Sequence, residues 1–226
     1  MIQLFDAGRR YGPKDSQEWA VRGARLTVEP GQFVVVMGPS GSGKTSLLNM
    51  ASGIDLPDEG SVLISRESTT GMSRRQRAGL RLRLVGTVSQ DDTLLPELTA
   101  TENAALRLRL LGVSRKEAEL AADQALATAG LGDLGARFPG EMSGGERQRV
   151  GIARALAGPG TVMVADEPTG SLDEIATRAI FSLLSELAAA GRAILCATHD
   201  PVVREYATHT VTLAKGQVPA AQVHAN

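Results

Sequence analysis

The chain has 226 residues, of which 42% are hydrophobic and 22% charged, and its formal net charge is -1. This is enough chain for one compact domain with a proper core, and it excludes a disordered or fibrous protein. The near-zero charge argues against a general nucleic-acid binder. No apolar run approaches the roughly 18 residues that span a bilayer, so any role at a membrane calls for a partner.

In chain order, the first thirty residues read as an antiparallel β layer, joined later by "GSVLIS" at 60 to 65. "FVVVM" (33 to 37) is a buried strand, rich in β-branched residues and without polar alternation, as expected of a sheet covered on both faces. It runs into "GPSGSGKT", which fits G-x-x-x-x-G-K-[ST] at every fixed position between a strand and a helix start. In such a loop the backbone of Gly38, Pro39, Ser40, Gly41, Ser42 and Gly43 curls its N-H groups toward a phosphate chain. Lys44 adds a point charge for the β and γ phosphates, and the Thr45 hydroxyl can ligate Mg²⁺.

The basic run "SRRQRAGLRLR" (73 to 83) is expected to be a solvated helix face. "LVGTVS" (84 to 89) is a second buried strand and ends at Gln90, whose side-chain oxygen can complete a Mg²⁺ shell. From about 91 to 150 helices follow without an intervening strand, which predicts a helical lobe inserted into a core of residues 1 to 90 and 151 to 226, all within one domain. Ser114 with Glu117 has capping-box spacing, and Gly130 marks a helix end.

"EMSGGERQRVGIARAL" (141 to 156) is a second glycine-bearing helix start. Ser143 and Glu146 suffice as a capping box, so Gly144 and Gly145 need another reason: glycine costs roughly 1 kcal/mol relative to alanine inside a helix. Bare backbone at a helix N-terminus is an anion site, which suggests a second place for a phosphate.

"TVMVA" (161 to 165) is a third buried strand, followed by Asp166 and Glu167. Two adjacent carboxylates beyond an apolar run divide the labour: Asp166 at the Mg²⁺ site, Glu167 orienting and polarising the attacking water. Ser171 with Glu174 suggests another capping box; Ile180, Leu183, Leu184 and Leu187 form one buried helix face, and Gly191 ends that helix. "AILCAT" (193 to 198) is the fourth buried strand. It carries Cys196, the lone cysteine, as a core side chain in keeping with a reducing cytoplasm, and it precedes His199. At the same sheet edge as the phosphate loop, His199 is a candidate γ-phosphate sensor; His209 and His224 receive no role. The tail "PAAQVHAN" reads as loosely ordered. The fold class is therefore α/β: a phosphate-loop nucleotide hydrolase core with a mainly parallel sheet, an antiparallel β layer and an inserted helical lobe.

"GPSGSGKT", Gln90, "MSGGERQR", "VMVADEPTGSLD" and "ATHD", in that order, closely resemble the ATP-binding subunit of ABC transporters over nearly the whole chain. The resemblance implies an ATP hydrolase using ATP and Mg²⁺, paired head to tail with a second copy. Ser143, Gly144, Gly145 and Glu146 of one copy would close over the ATP of the other. It further implies adenine stacking by Tyr11, an interfacial Asp173, transmembrane permease subunits as partners, no nucleic acid, and a place at the inner face of the cell membrane. "TLLPELTATENAALRLRLLGVS" and "ADEPTGSLD" look like the group of lipoprotein-release, macrolide-export and cell-division ATPases. Ser171 departs from that group's common asparagine, Ser89 from its frequent aromatic, and "KTS" from its Lys-Ser-Thr order. Two other classes of ATPase share the glycine-bearing turn. A DNA-repair ATPase would carry sustained heptads between the two glycine motifs, which are absent, whereas a signalling module acting through a permease-like partner shares every motif.

Overall fold

The computed structural model describes residues 1–12, 18–89, 93–170, 172–217 and 224–225. In chain order the elements are β1 (Ile2–Arg10), β2 (Trp19–Val28), β3 (Phe33–Met37), α1 (Lys44–Ala51), β4 (Glu59–Ile64), β5 (Glu67–Ser68), α2 (Arg74–Leu84), β6 (Val85–Ser89), α3 (Ala100–Leu110), α4 (Arg115–Thr128), α5 (Gly144–Ala157), β7 (Val162–Asp166), α6 (Glu174–Ala189), β8 (Ala193–Ala197), β9 (His209–Thr212) and β10 (His224–Ala225). The strands form two sheets: β2-β1-β4-β5, antiparallel, and β10-β9-β3-β8-β7-β6, parallel from β9 to β6.

The four buried strands read from the sequence are β3, β6, β7 and β8. Their uniform hydrophobicity follows from the packing. Phe33, Val35 and Met37 enter a core shared with α3 to α6, while Val34 and Val36 enter another shared with α1 and the antiparallel sheet. Both faces are covered, so neither can be polar. Ile180, Leu183, Leu184 and Leu187 all turn inward from α6, and Cys196 is fully buried in β8, where burial pushes its thiol well up. β9 carries no strong apolar run, yet it pairs in parallel with β3, from Val34 opposite His209 to Met37 opposite Thr212. Of the tail, His224 and Ala225 pair with Thr210 and His209; the rest lies outside the described residues.

Between β6 and β7 the chain is helical: α3, α4, short 3-10 turns and α5. Thr99 and Glu102 cap α3 reciprocally, and Gly130 and Gly191 take positive φ (72° and 97°) just beyond α4 and α6. At α4 Ser114 accepts from the Glu117 N-H at 3.3 Å, but the carboxylate of Glu117 accepts the Ser114 hydroxyl at 2.6 Å rather than its N-H, so only half of the expected box forms.

Two expectations need correction. The N-cap of α6 is Asp173, which accepts from the Ala176 N-H at 2.8 Å; Ser171 lies outside the described residues. The short aspartate nearest the first turn reaches its free amides, and no serine box is needed. The basic run forms α2, but only part of it is a solvated face. Arg74, Arg75 and Arg83 are exposed, Arg77 is buried, and Arg81 turns inward to the Gly53 carbonyl at 2.9 Å, because α2 packs beside β6.

Candidate active site

Because β3, β8, β7 and β6 run parallel, their carboxyl ends meet at one edge, and the loops leaving that edge build the site. β3 delivers the glycine loop, β7 ends on Asp166, and β8 leads to His199; Asp166 stands in register with Ser89 on one side and Ala197 on the other. The cleft there is about 590 Å³, lined by Gly41, Lys44, Thr45, Asp166, Glu167 and His199 among others.

The loop's glycines are required by the chain itself. A Cβ on Gly38 would run into the Leu213 carbonyl, and one on Gly43 into that of Ala20; Gly41 and Gly43 have φ of 76° and 103°. Gly43 is the N-cap of α1 and supplies no side-chain cap, so the first amides of α1 are left for an anion. Lys44 is nearly buried, its Nζ donating to the carbonyls of Gly38 at 2.8 Å and Pro39 at 3.1 Å. Ser42 Oγ is buried without a hydrogen-bond partner among the described residues.

The Asp166 carboxyl is shifted upward from its ordinary value. Burial pushes it up, a hydrogen bond with the Thr45 hydroxyl pulls it back, the neighbouring Glu167 charge raises it, and Lys44 lowers it. A half-buried carboxyl beside a hydroxyl is a hard-oxygen pair suited to Mg²⁺. No group of three or more His, Cys, Asp or Glu that could hold a metal exists among the described residues. Gln90, the other expected ligand, lies outside the described residues.

Glu167 has a φ of 45°, a left-handed conformation costly for a residue with a side chain. Its N-H donates to the Ala197 carbonyl at 2.8 Å, and His199 Nδ1 stands 3.0 Å from each carboxylate oxygen. The carboxylate is only 18% exposed against 72% for the imidazole, so the histidine holds the glutamate from the solvent side. The strained backbone and the imidazole together fix the carboxylate's direction.

The structure thus brings together Lys44, Thr45, Asp166, Glu167 and His199. Tyr11 is not among the cleft's lining residues. It is half-exposed, its hydroxyl donates to Asp55 at 2.8 Å, and the Arg9 guanidinium lies 4.9 Å from its ring centre. The turn at 143 to 146 is elsewhere as well. Ser143 caps α5, accepting from the Glu146 N-H at 3.3 Å, while its own N-H donates to the Glu146 carboxylate at 2.7 Å. That N-H holds the Glu146 carboxyl below the ordinary range.

Two contributors were not legible in the sequence. Ala20, on β2, lines the cleft through tertiary packing alone. Gln148 is buried on α5 and donates to the Ser89 carbonyl at 3.1 Å, tying the helix that begins at Ser143 to the strand end before Gln90. Its position next to "SGGE" was the signal available.

A phosphate-binding loop at the edge of a parallel sheet, faced by a hydroxyl, two carboxylates and an imidazole, defines a P-loop nucleoside triphosphatase. The ABC transporter family model matches residues 21–170. The chain is 43% identical to the lipoprotein-releasing system ATP-binding protein LolD 2 of Caulobacter vibrioides, over 99% of this chain and 98% of that one. It is 36% identical to the macrolide export ATP-binding/permease protein MacB of Marinobacter nauticus, over 96% of this chain but only 34% of that longer protein, so it spans about a third of the length of that relative. The ATP-binding cassette MJ0796, solved as a dimer in a post-hydrolysis state bound to ADP and Pi, superposes with a TM-score of 0.88 at 32% identity, covering both chains fully. The chain belongs to the ABC transporter family and is an ATP hydrolase of that family.

Proposed function

We propose that two copies of the chain pair head to tail around two Mg·ATP, and that their closing and reopening drives permease subunits embedded in the membrane to extrude a lipid, lipoprotein or drug. The observation that carries this reading is the turn at Gly144 and Gly145. A Cβ there would meet only Leu172 at 3.7 Å and Ala176 at 3.4 Å, and neither glycine has positive φ. Nothing among the described residues demands glycine there, whereas close approach by an outside phosphate would. Ile175, which precedes Ala176 on α6, is 83% exposed and offers a second copy an apolar contact. The dimeric MJ0796 cassette and the names of the LolD and MacB relatives point the same way.

In this reading Lys44 and the amides of α1 neutralise the phosphates in the chain's own cleft. Thr45 and Asp166, with Gln90, hold Mg²⁺, which when bound offsets charge on the phosphate oxygens. Glu167 accepts the proton of the attacking water. His199 keeps that carboxylate aimed and reports the third phosphate. Tyr11 stacks on adenine, Asp173 stands at the interface between copies, and Ser143 to Glu146 complete the other copy's site. No helix among the described residues is long and apolar enough to cross a membrane; the helical lobe is assigned the contact with the permease at the inner face of the membrane.

The test is Glu167→Gln. General-base catalysis contributes about 10² to 10⁴ in rate, so turnover should fall by that factor while ATP binding persists and a closed dimer accumulates in size-exclusion chromatography. Undiminished turnover removes Glu167 from the base role.

A further inference from the structure

Just beyond β1 the chain carries an aromatic ring that is fixed from two sides. Tyr11 is 48% exposed, yet its hydroxyl donates to Asp55 at 2.8 Å, and the Arg9 guanidinium lies 4.9 Å from the ring centre. Arg9 takes one face, so a stacking partner can take only the other.

Arg9 is itself held. Its Nη1 donates to both carboxylate oxygens of Asp58, at 3.2 and 3.3 Å, and its Nη2 stands 4.0 Å from Asp55. Asp58 also accepts from the Arg10 N-H at 2.9 Å, and its own N-H donates to the Gly8 carbonyl at 2.7 Å. These contacts already join β1 to the loop between α1 and β4. The bond from Tyr11 to Asp55 adds little to that joint except the direction of a half-exposed ring. A phenol that donates to a carboxylate also carries more electron density on its ring, which favours an electron-poor heterocycle on the free face.

The placing of Asp55 ties the ring to the phosphate loop. The N-H groups of Ile54 and Asp55 donate to the Asn49 carbonyl at 2.9 and 3.1 Å, so the turn that carries Asp55 is fastened to the end of α1. The first turn of the same helix holds Lys44 and Thr45 in the cleft. The 8 residues of α1 span about 12 Å, a rigid spacer between the groups that meet phosphate and the carboxylate that aims the ring.

We infer that Asp55 and Arg9 are positioning residues for the base of the nucleotide: acting through Tyr11, they hold its ring ready for stacking at a distance from the phosphate loop that α1 sets. The inference rests on the proposed stacking of adenine on Tyr11 and adds what orders that ring before ATP arrives. Binding against a ring already in place avoids the entropy of immobilising it together with the ligand.

The test compares equilibrium binding of Mg·ATP with that of inorganic tripolyphosphate, which offers the phosphate loop a similar chain without a base. Asp55→Ala should weaken ATP by about three- to tenfold, the cost of ordering one side chain, and leave tripolyphosphate unchanged; KM for ATP should rise by the same factor with kcat kept. Tyr11→Phe should match it, and the double variant should lose no more than either alone, because both substitutions remove the same hydrogen bond. Asp55→Asn, whose amide oxygen still accepts the phenol, should restore most of the affinity. Arg9→Gln, which uncovers the other face, should weaken ATP and again spare tripolyphosphate. Equal losses for ATP and tripolyphosphate would assign these residues to the fold and overturn the inference, as would unchanged ATP affinity in Asp55→Ala or Arg9→Gln. If Tyr11→Ala itself leaves the preference for ATP over tripolyphosphate unchanged, the ring does not meet the base, and the stacking reading fails together with this inference.

Discussion

The chain carries two glycine-bearing helix starts, and they are built on opposite terms. At the start of α1, the glycines answer to the chain's own geometry: side chains there would strike the carbonyls of Ala20 and Leu213, and Gly38, Gly41 and Gly43 all have positive φ. At the start of α5 the backbone is ordinary helix, the cap is a complete Ser143 and Glu146 box, and side chains would meet only ordinary contacts. The first site folds around its ligand's place. The second gives up helix stability for two glycines that nothing among the described residues requires. A feature that is locally unfavourable and internally unneeded is best explained by an external surface that must come close.

The largest expected effect separates the two starts by assay. Gly144→Asp places a carboxylate where the paired copy's phosphate would lie; ATPase turnover should fall by at least 100-fold, an effect of about 2.7 kcal/mol, with ATP affinity of the isolated chain unchanged in equilibrium titration. Loss of affinity instead would put the turn in the chain's own cleft.

Gly43→Ala should do the reverse. Forcing a Cβ against the Ala20 carbonyl at φ 103° should destabilise the fold by about 2–4 kcal/mol, visible in urea unfolding, and abolish ATP binding by the single chain.

Gly145→Ala sharpens the contrast further. Alanine is favoured in a helix by about 1 kcal/mol, and the Ala176 contact at 3.4 Å is ordinary, so the melting temperature should rise while ATP-driven dimerisation weakens. A variant both more stable and fully active would remove the case for an outside phosphate.

The smallest effect concerns the cap. Ser143→Ala should cost about 1 kcal/mol, and it should weaken, without removing, a pH dependence. The Glu146 carboxyl is held below its ordinary value chiefly by the Ser143 N-H, then by its hydroxyl. Its contribution is therefore complete above the ordinary carboxylate value and fades over the acid range as pH falls through the lowered one. Melting curves across that range should flatten on the acid side in Glu146→Gln.

Much of the site could be read from sequence because its signals are contiguous. A strand, a glycine loop, a lysine and a hydroxyl follow one another at 33 to 45, and a strand with two carboxylates at 161 to 167; each encodes local backbone geometry and a chemical group together. Capping residues are similarly local, although the start of α6 shows how adjacent candidates mislead: Asp173 sits at the boundary and takes the cap expected of Ser171. The arginine run was the less legible case. Its charge read as a solvated helix face, but the choice between water and interior depended on residues distant in the chain, such as the Gly53 carbonyl just after α1.

By itself, then, the sequence determined the α/β class, the four central strands, the phosphate loop and the identity of the groups that can act on a nucleotide, since these depend on residues within a few positions of one another. Tertiary structure alone decided that β9 joins β3, that His199 grips Glu167 from thirty-two positions away, and that Gln148 ties α5 to the end of β6. It also decided that Asp55 meets the Tyr11 hydroxyl from 44 positions away. Those outcomes depend on which distant surfaces meet and which charges are thereby withdrawn from water, and no stretch of chain carries that information alone.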